Sequence, residues 1–205
     1  DAPYIADIAK AIEAGDADAL VNTWLAACRH ARESERYFYG WLYTARIVAL
    51  PEPLGLAFWN RVAGEITTHD VEAAVVQWGA AAMPGLLRVL QANPAAEMDL
   101  MGHFGAAAIA PHAARGAFKL KPARQASVRW PLRSPRHAAA GLIAPALGKA
   151  GEAKDMACKA LRLLAAHGHA QTLLDVAAHY AQAEVTAGVQ ALLDENPLDL
   201  YPSKL

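Results

Sequence analysis

Histidine is the residue type in this sequence that could bind a metal or move protons, and the chain has eight of them. None forms an HExxH motif, and no two lie four residues apart beside a carboxylate, the arrangements typical of catalytic zinc sites. We therefore expect no metal site. His167 and His169 flank Gly168 at a predicted helix end, where an imidazole commonly interacts with the helix dipole and is not a metal ligand. The histidines are His30, His69, His103, His112, His137, His167, His169 and His179.

Nucleophilic chemistry finds little support in the sequence. Cys28 and Cys158 lie far apart with no CxxC partner, which suits a reducing cytoplasm, and we expect both to be buried as small apolar side chains. No GxSxG, P-loop or GxGxxG motif occurs. We expect no catalytic residues, no enzyme activity and no cofactor.

Charge distribution is the strongest functional signal. Residues 100–151 contain eight basic and no acidic side chains, although the whole chain has 19 basic and 20 acidic ones. A solvated connection around residues 121–135 would explain the block, and so would a surface that binds an acidic protein or nucleic-acid phosphate. The isoelectric point near 6.8 disfavours nucleic acid. Candidate partner-binding residues are Lys119, Lys121, Arg124, Arg129, Trp130, Arg133 and Arg136.

These residues must be positioned by helices, because apolar residues recur at helical spacing almost throughout. Pro84 predicts the opening turn of one helix, which Asn93-Pro94 ends, and Ser134-Pro135 predicts the start of another. Gly151 and Gly168 bracket a helix over about 152–167. A last pair is expected over about 169–182 and 184–194.

The first half is read from periodicity. It predicts helices before and after Gly15, one from Ser34 through Val48, a short one over 54–64, and one that opens at Thr68 and Asp70. Most tryptophans fall on the apolar faces of these helices, so we expect them to be core residues. The aromatic run over 37–43 must expose some rings, and these could contact a partner.

Helix pairs that recur about every 30 residues are typical of α-solenoids of the HEAT or armadillo kind. We predict an all-α fold of this type, with an irregular multi-helix bundle as the alternative. The 205 residues are expected to form one domain, with a sub-boundary near 119–134. No run approaches the roughly 18 apolar residues of a membrane span, so we expect no membrane association and a cytoplasmic protein. Because the sequence starts at Asp1, we expect it to be a piece of a longer protein.

Part of the chain resembles a known family. The segments are 130–134 (WPLRS), 138–149 (AAAGLIAPALGK), 160–164 (ALRLL) and 196–199 (NPLD). Over about 128–202 they resemble the helical-repeat region of bacterial molybdate metabolism regulator-like proteins, whose relatives often carry a WGR domain. The resemblance implies a helical-repeat fold and brings no catalytic residues. No WGR tripeptide occurs in this sequence.

Together these features predict a non-catalytic helical scaffold that binds other domains of the parent chain or another protein. The alternative is a HEAT-like solenoid that binds nucleic acid through residues 115–136, as a HEAT-like DNA glycosylase would. The sequence does not identify the ligand of either function.

Overall fold

The structure is a computed structural model that describes residues 2–33, 44–65 and 71–195. Every regular element in these ranges is helical, and no strand occurs among them. The prediction of an all-α fold is therefore confirmed.

Contacts divide the chain into two compact units, unit 1 over Asp1–Ala92 and unit 2 over Asn93–Leu205. The strongest break in contacts thus falls at Asn93-Pro94, where proline cannot continue the preceding helix. Residues 119–134, where we expected a sub-boundary, lie inside unit 2.

Unit 1 is built from six α-helices among its described residues, with short 3-10 segments at Ala63–Glu65 and Gly79–Ala82. The helices are α1 (Ala2–Ala14), α2 (Ala17–Glu33), α3 (Thr44–Ile47), α4 (Leu54–Val62), α5 (Val71–Trp78) and α6 (Met83–Ala92).

Aromatic residues form much of the core of unit 1. Helix α1 packs on α2, while α4 packs on both α2 and α6. Trp24 meets Phe58 edge to face at 5.8 Å, and Trp59 is fully buried. These tryptophans confirm the expectation of core packing, whereas Trp78 is only half-buried.

Unit 2 contains seven further α-helices among its described residues. They are α7 (Pro94–Met101), α8 (Ala110–Lys119), α9 (Arg124–Arg133), α10 (Pro135–Leu147), α11 (Glu152–Leu164), α12 (Ala170–Ala178) and α13 (Ala183–Asp194).

Three helix pairs organise unit 2. Helix α8 packs on α9, α10 on α11 and α12 on α13, and each pair is joined by a short turn. Between pairs, α10 contacts both α8 and α12, and α11 contacts both α9 and α13. The first helices of the pairs thus contact one another in chain order, and so do the second helices, while α8 also packs on α11 and α10 on α13.

Local stop and start signals place several boundaries correctly. Pro84 lies in the first turn of α6, which ends before Asn93, and α10 begins at Pro135. Helix α11 begins directly after Gly151. Gly168 interrupts the helical backbone before α12 with φ +86°, which glycine adopts at no steric cost.

The prediction of a solvated connection over 121–135 is wrong. Residues 121–123 form a 3-10 turn and Arg124–Arg133 form α9, with Pro131 inside the helix. Trp130 and Pro131 are both buried, so packing of this segment outweighs the helix-breaking tendency of proline.

Several sequence predictions lie outside the described residues. They are the Ser34 cap and its helix as far as Tyr43, the aromatic run over 37–43, the Thr68 and Asp70 helix start, and the segment 196–199 that contributes to the resemblance. Of the predicted helix through Val48, the structure describes α3 alone.

One helical stretch in the described residues, Val71–Ala92, is long and apolar enough to cross a membrane by length and composition. The expectation that no stretch reaches this length was wrong. The stretch is interrupted at Gly79, where φ is +52°, and its Leu86 and Leu90 are fully buried. A core helix of a globular unit passes the same test, so the finding is weak evidence for a membrane.

Candidate interaction surface

The seven predicted partner-binding residues do not form one surface. Lys119, Lys121 and Arg124 lie at the turn between α8 and α9, whereas Arg133 and Arg136 lie at the far end of α9. Helix α9 has ten residues and is therefore about 15 Å long. The basic block is split between two ends of unit 2.

Trp130 is not available to a partner. Only 1% of its surface is exposed, and its indole Nε1 donates a hydrogen bond to the Phe104 carbonyl at 2.9 Å. Its inclusion among the partner-binding residues was wrong, because the side of α9 that carries Trp130 and Ser127 faces the core.

Arg129 and Arg133 stabilise the fold at the other end of α9. Arg129 forms an ion pair with Asp99 of α7 at 2.7 Å, and Arg133 donates a hydrogen bond to the Gly102 carbonyl at 3.3 Å. The charge of Arg129 is therefore balanced by a carboxylate that lies just before the acid-free block. Both guanidinium groups tie α9 to α7 and the segment that follows it.

Two turns of unit 2 come together at one end. A Cβ added at Gly105 would lie 2.7 Å from the ring of His137, and one added at Gly141 would overlap the Ala107 carbonyl. The same Cβ at Gly141 would lie 2.7 Å from the Cβ of Ala110, the first residue of α8. Contacts thus advance in the same order along α10 and along the segment that leads from Gly105 into α8, so α8 and α10 run in the same direction. Their C-terminal ends, with the turns that follow, lie at the same end of unit 2.

An ion pair supports this placement of the turns. Arg115 of α8 lies 3.6 Å from Glu152 in the first turn of α11. Lys119 is one helical turn beyond Arg115, and Lys149 is three residues before Glu152. We call the four cations at these turns, Lys119, Lys121, Arg124 and Lys149, the basic edge.

The basic edge is exposed and carries uncompensated charge. All four side chains are exposed, and none has an ion pair or a side-chain hydrogen bond among the described residues. Lys154 lies close by and donates to the Gly148 carbonyl at 3.3 Å. The nearby carboxylates are Glu152, paired with Arg115, and Asp155. Lys119, Lys121 and Arg124 are among the residues predicted from the sequence, whereas Lys149 belongs to the basic block over 100–151 and was not a predicted partner-binding residue.

The histidines and cysteines that the structure describes form no metal-binding group. Among residues 2–33, 44–65 and 71–195, no group of three His, Cys, Asp or Glu side chains could hold a metal ion. Burial, and then the neighbouring Arg115, lower the pKa of the His112 imidazole. Burial raises the pKa of the Cys158 thiol, so it holds its proton more firmly than an ordinary cysteine. Cys28 and Cys158 are half-buried, not fully buried as expected.

Comparisons with known proteins give one informative match. The chain is 29% identical over 203 residues to the uncharacterized protein YehI of Escherichia coli strain K12. The match covers 96% of this chain but only 16% of YehI, so the chain spans a small part of the length of that relative. No family model matches the chain. No solved structure matches it either.

Proposed function

We propose that this chain is a non-catalytic, helical-repeat scaffold segment of a larger cytoplasmic protein, and that its basic edge binds an acidic region of a protein partner. The exposed, unpaired charge of that edge carries the proposal, because four cations on two neighbouring turns form a site for a polyanion. The proposed parent is a bacterial molybdate metabolism regulator-like protein. The partner region belongs to another domain of that parent or to a separate protein.

The repeat character rests on buried positions that recur in unit 2. In α9 the buried residues are Ser127, Trp130 and Pro131, and in α11 Ala157, Ala160 and Leu161 repeat that spacing. The first helices of the pairs show the same recurrence. Their buried residues are Ile109, Ala110, Ala113, Ala114 and Ala117 at α8, and Ala138, Ala139, Leu142, Ile143 and Ala146 in α10.

Polar contacts between a helix and the second helix before or after it recur at a similar distance along the chain. Arg129 reaches back 30 residues to Asp99, and Arg162 of α11 reaches forward 33 residues to Glu195 at the end of α13. A structural repeat of about 30 residues in which each pair packs on the next is the pattern of an α-solenoid of the HEAT kind. These features support the solenoid over an irregular bundle.

The scaffold proposal is tested by binding of fluorescently labelled poly-L-glutamate, measured by fluorescence anisotropy at low and physiological salt. We expect binding by the wild-type chain and loss of at least tenfold in affinity for K121E/R124E/K149E. All three wild-type side chains are exposed, and the glutamate at position 124 lies at the N-terminus of α9, where a negative charge is favourable, so the variant should fold. Circular dichroism checks this.

A matched control carries three charge reversals away from the basic edge, with the same numbers of lysines and arginines. This control is K10E/R136E/K159E, and all three of its wild-type side chains are exposed. Equal loss of binding in the control would show that net charge alone matters and would overturn the site. No binding of poly-L-glutamate by the wild-type chain would overturn the proposed function.

Nucleic-acid binding is the second candidate, supported by the acid-free block over 100–151. It predicts that a single-stranded or duplex oligonucleotide binds more tightly than poly-L-glutamate, with affinity falling steeply as salt rises. Absence of oligonucleotide binding at low salt would eliminate it.

A further inference from the structure

We propose that the occupant of the basic edge is an extended acidic peptide that crosses from the α8–α9 turn to the α10–α11 turn, with carboxylates about three residues apart. This inference rests on the proposed scaffold function and specifies the ligand of the same surface. It concerns a single peptide that contacts both turns.

The spacing of the two turns sets the spacing of the carboxylates. Packed helix axes lie roughly 8–10 Å apart, and α8 and α10 pack directly on one another. A polyproline II peptide rises about 3.1 Å per residue and completes a turn in three residues. Carboxylates at every third position therefore share one side of the peptide and are separated by about the distance between the turns.

Exposed aromatic side chains distinguish a peptide site from a nucleic-acid site. Proteins that bind single strands stack bases on exposed aromatic rings. In the described part of unit 2, Trp130 is buried, and Phe104, Phe118 and Tyr180 are half-buried. The basic edge thus lacks an exposed ring on which a base could stack.

Acidic neighbours of the basic edge also favour a peptide. Asp155 is exposed in the first turn of α11, and Glu152 lies beside it in the same turn. A phosphate backbone carries a charge at every nucleotide and would be repelled there. A peptide can place a neutral or basic residue opposite these carboxylates while its own acidic residues contact Lys149 and Arg124.

The identity of the cations points the same way. Three of the four are lysines, whose ammonium groups act as mobile point charges, and only Arg124 offers a planar, bidentate fork. Bidentate recognition of phosphate is the usual reason for arginine at nucleic-acid sites. A lysine-rich edge suits carboxylates that arrive on a flexible chain.

Two synthetic peptides of identical composition test the inference. In the first, three glutamates occupy every third position of a proline- and alanine-rich chain, and in the second the three glutamates are contiguous, so that no two of them lie three residues apart. We expect the spaced peptide to bind the wild-type chain about tenfold more tightly, as measured by isothermal titration calorimetry. Equal affinities would overturn the crossing geometry and leave the scaffold proposal standing, because poly-L-glutamate would still bind.

Splitting the basic edge between its two turns sharpens the test. K121E/R124E alters the first turn and K149E alters the second, and each should weaken the spaced peptide by at least fivefold. The contiguous peptide should respond to only one of the two variants. Dependence of the spaced peptide on one turn alone would overturn the inference, and so would tighter binding of a single-stranded oligonucleotide at physiological salt.

Discussion

In unit 1 the buried Trp59 donates from its indole nitrogen to the Ala82 carbonyl at 3.1 Å, just before α6. In unit 2 the buried Trp130 donates to the Phe104 carbonyl at 2.9 Å, in the segment before α8. Each helix that carries the tryptophan therefore holds the backbone ahead of a neighbouring helix. In both units, a tryptophan indole thus fixes a backbone carbonyl in the segment that precedes a neighbouring helix.

The residues beside the two tryptophans differ. In unit 1 the neutral Asn60 donates to the Ala81 carbonyl and accepts from the Gly85 amide, both at 3.0 Å. In unit 2 the neighbours are Arg129 and Arg133, which reach a carboxylate and a carbonyl. Asn60 in unit 1 and the two arginines in unit 2 all make polar contacts within the fold beside a buried tryptophan. A charged residue in the acid-free block is therefore not by itself a sign of binding.

The largest expected effect on the comparison of the two units comes from replacing one buried helix glycine by alanine in each unit. A Cβ at Gly85 would overlap the indole of Trp59, which is rigid and fully buried, so G85A should lower the free energy of unfolding by about 3 kcal/mol. At Gly116 the added Cβ would overlap the hydroxyl of Ser127, which has no hydrogen-bond partner and can rotate, but it would also lie 2.9 Å from the Cβ of Ser127, which can move only with its backbone. G116A should therefore cost about 2 kcal/mol, less than G85A. Urea unfolding measures both, and equal losses would contradict the distinction.

The next test removes the indole hydrogen bond from each unit. W59F leaves the buried Ala82 carbonyl without its donor and W130F leaves the half-buried Phe104 carbonyl without its donor, and each opens a small gap, so each should cost about 2 kcal/mol. Trp78 is a control, because it is half-buried and donates to the exposed Glu52, and W78F should cost about 0.5 kcal/mol. A much smaller effect of W130F than of W59F would break the equivalence of the two units.

The smallest effect concerns pH and belongs to unit 2 alone. Burial and the Arg115 guanidinium lower the pKa of His112 in the folded state, so the unfolded chain binds this proton more readily. Stability from this group is therefore fully present above pH 6.5, the ordinary value, and is lost as pH falls from that value through the lowered pKa of the folded state. The protection factors of the α8 amides, which correct for the intrinsic slowing of exchange at lower pH, should therefore fall below pH 6.5, and H112Q should flatten this dependence. An unchanged profile in H112Q would contradict the assignment.

Much of the fold could be predicted from the sequence where local rules decide the outcome. Pro84, Pro135 and Gly151 mark helix starts because proline and glycine restrict or free the backbone regardless of the surrounding packing. The same rules fail at Pro131, which lies inside α9 where we predicted a connection, because the burial of Trp130 and Pro131 keeps the segment helical. The close approaches at Gly85 and Gly116 carry no sequence signal that separates them from ordinary helix glycines.

The candidate surface could be predicted only in part. Charge counting found Lys119, Lys121 and Arg124, which are exposed as expected. It could not separate them from Arg129, because the partner of Arg129 lies 30 residues away and is brought close by helix packing. Lys149 joins the basic edge for the same reason, since two turns become neighbours only after α8 and α10 pack.

The small side chains that line the buried side of α8 have a mechanical consequence. Ala113, Ala114 and Ala117 have no side-chain torsions to adjust, and Gly116 has no side chain at all. A load applied to α8 therefore finds no rotamer to adjust on these α8 residues and passes to the side chains and backbones of the adjoining helices.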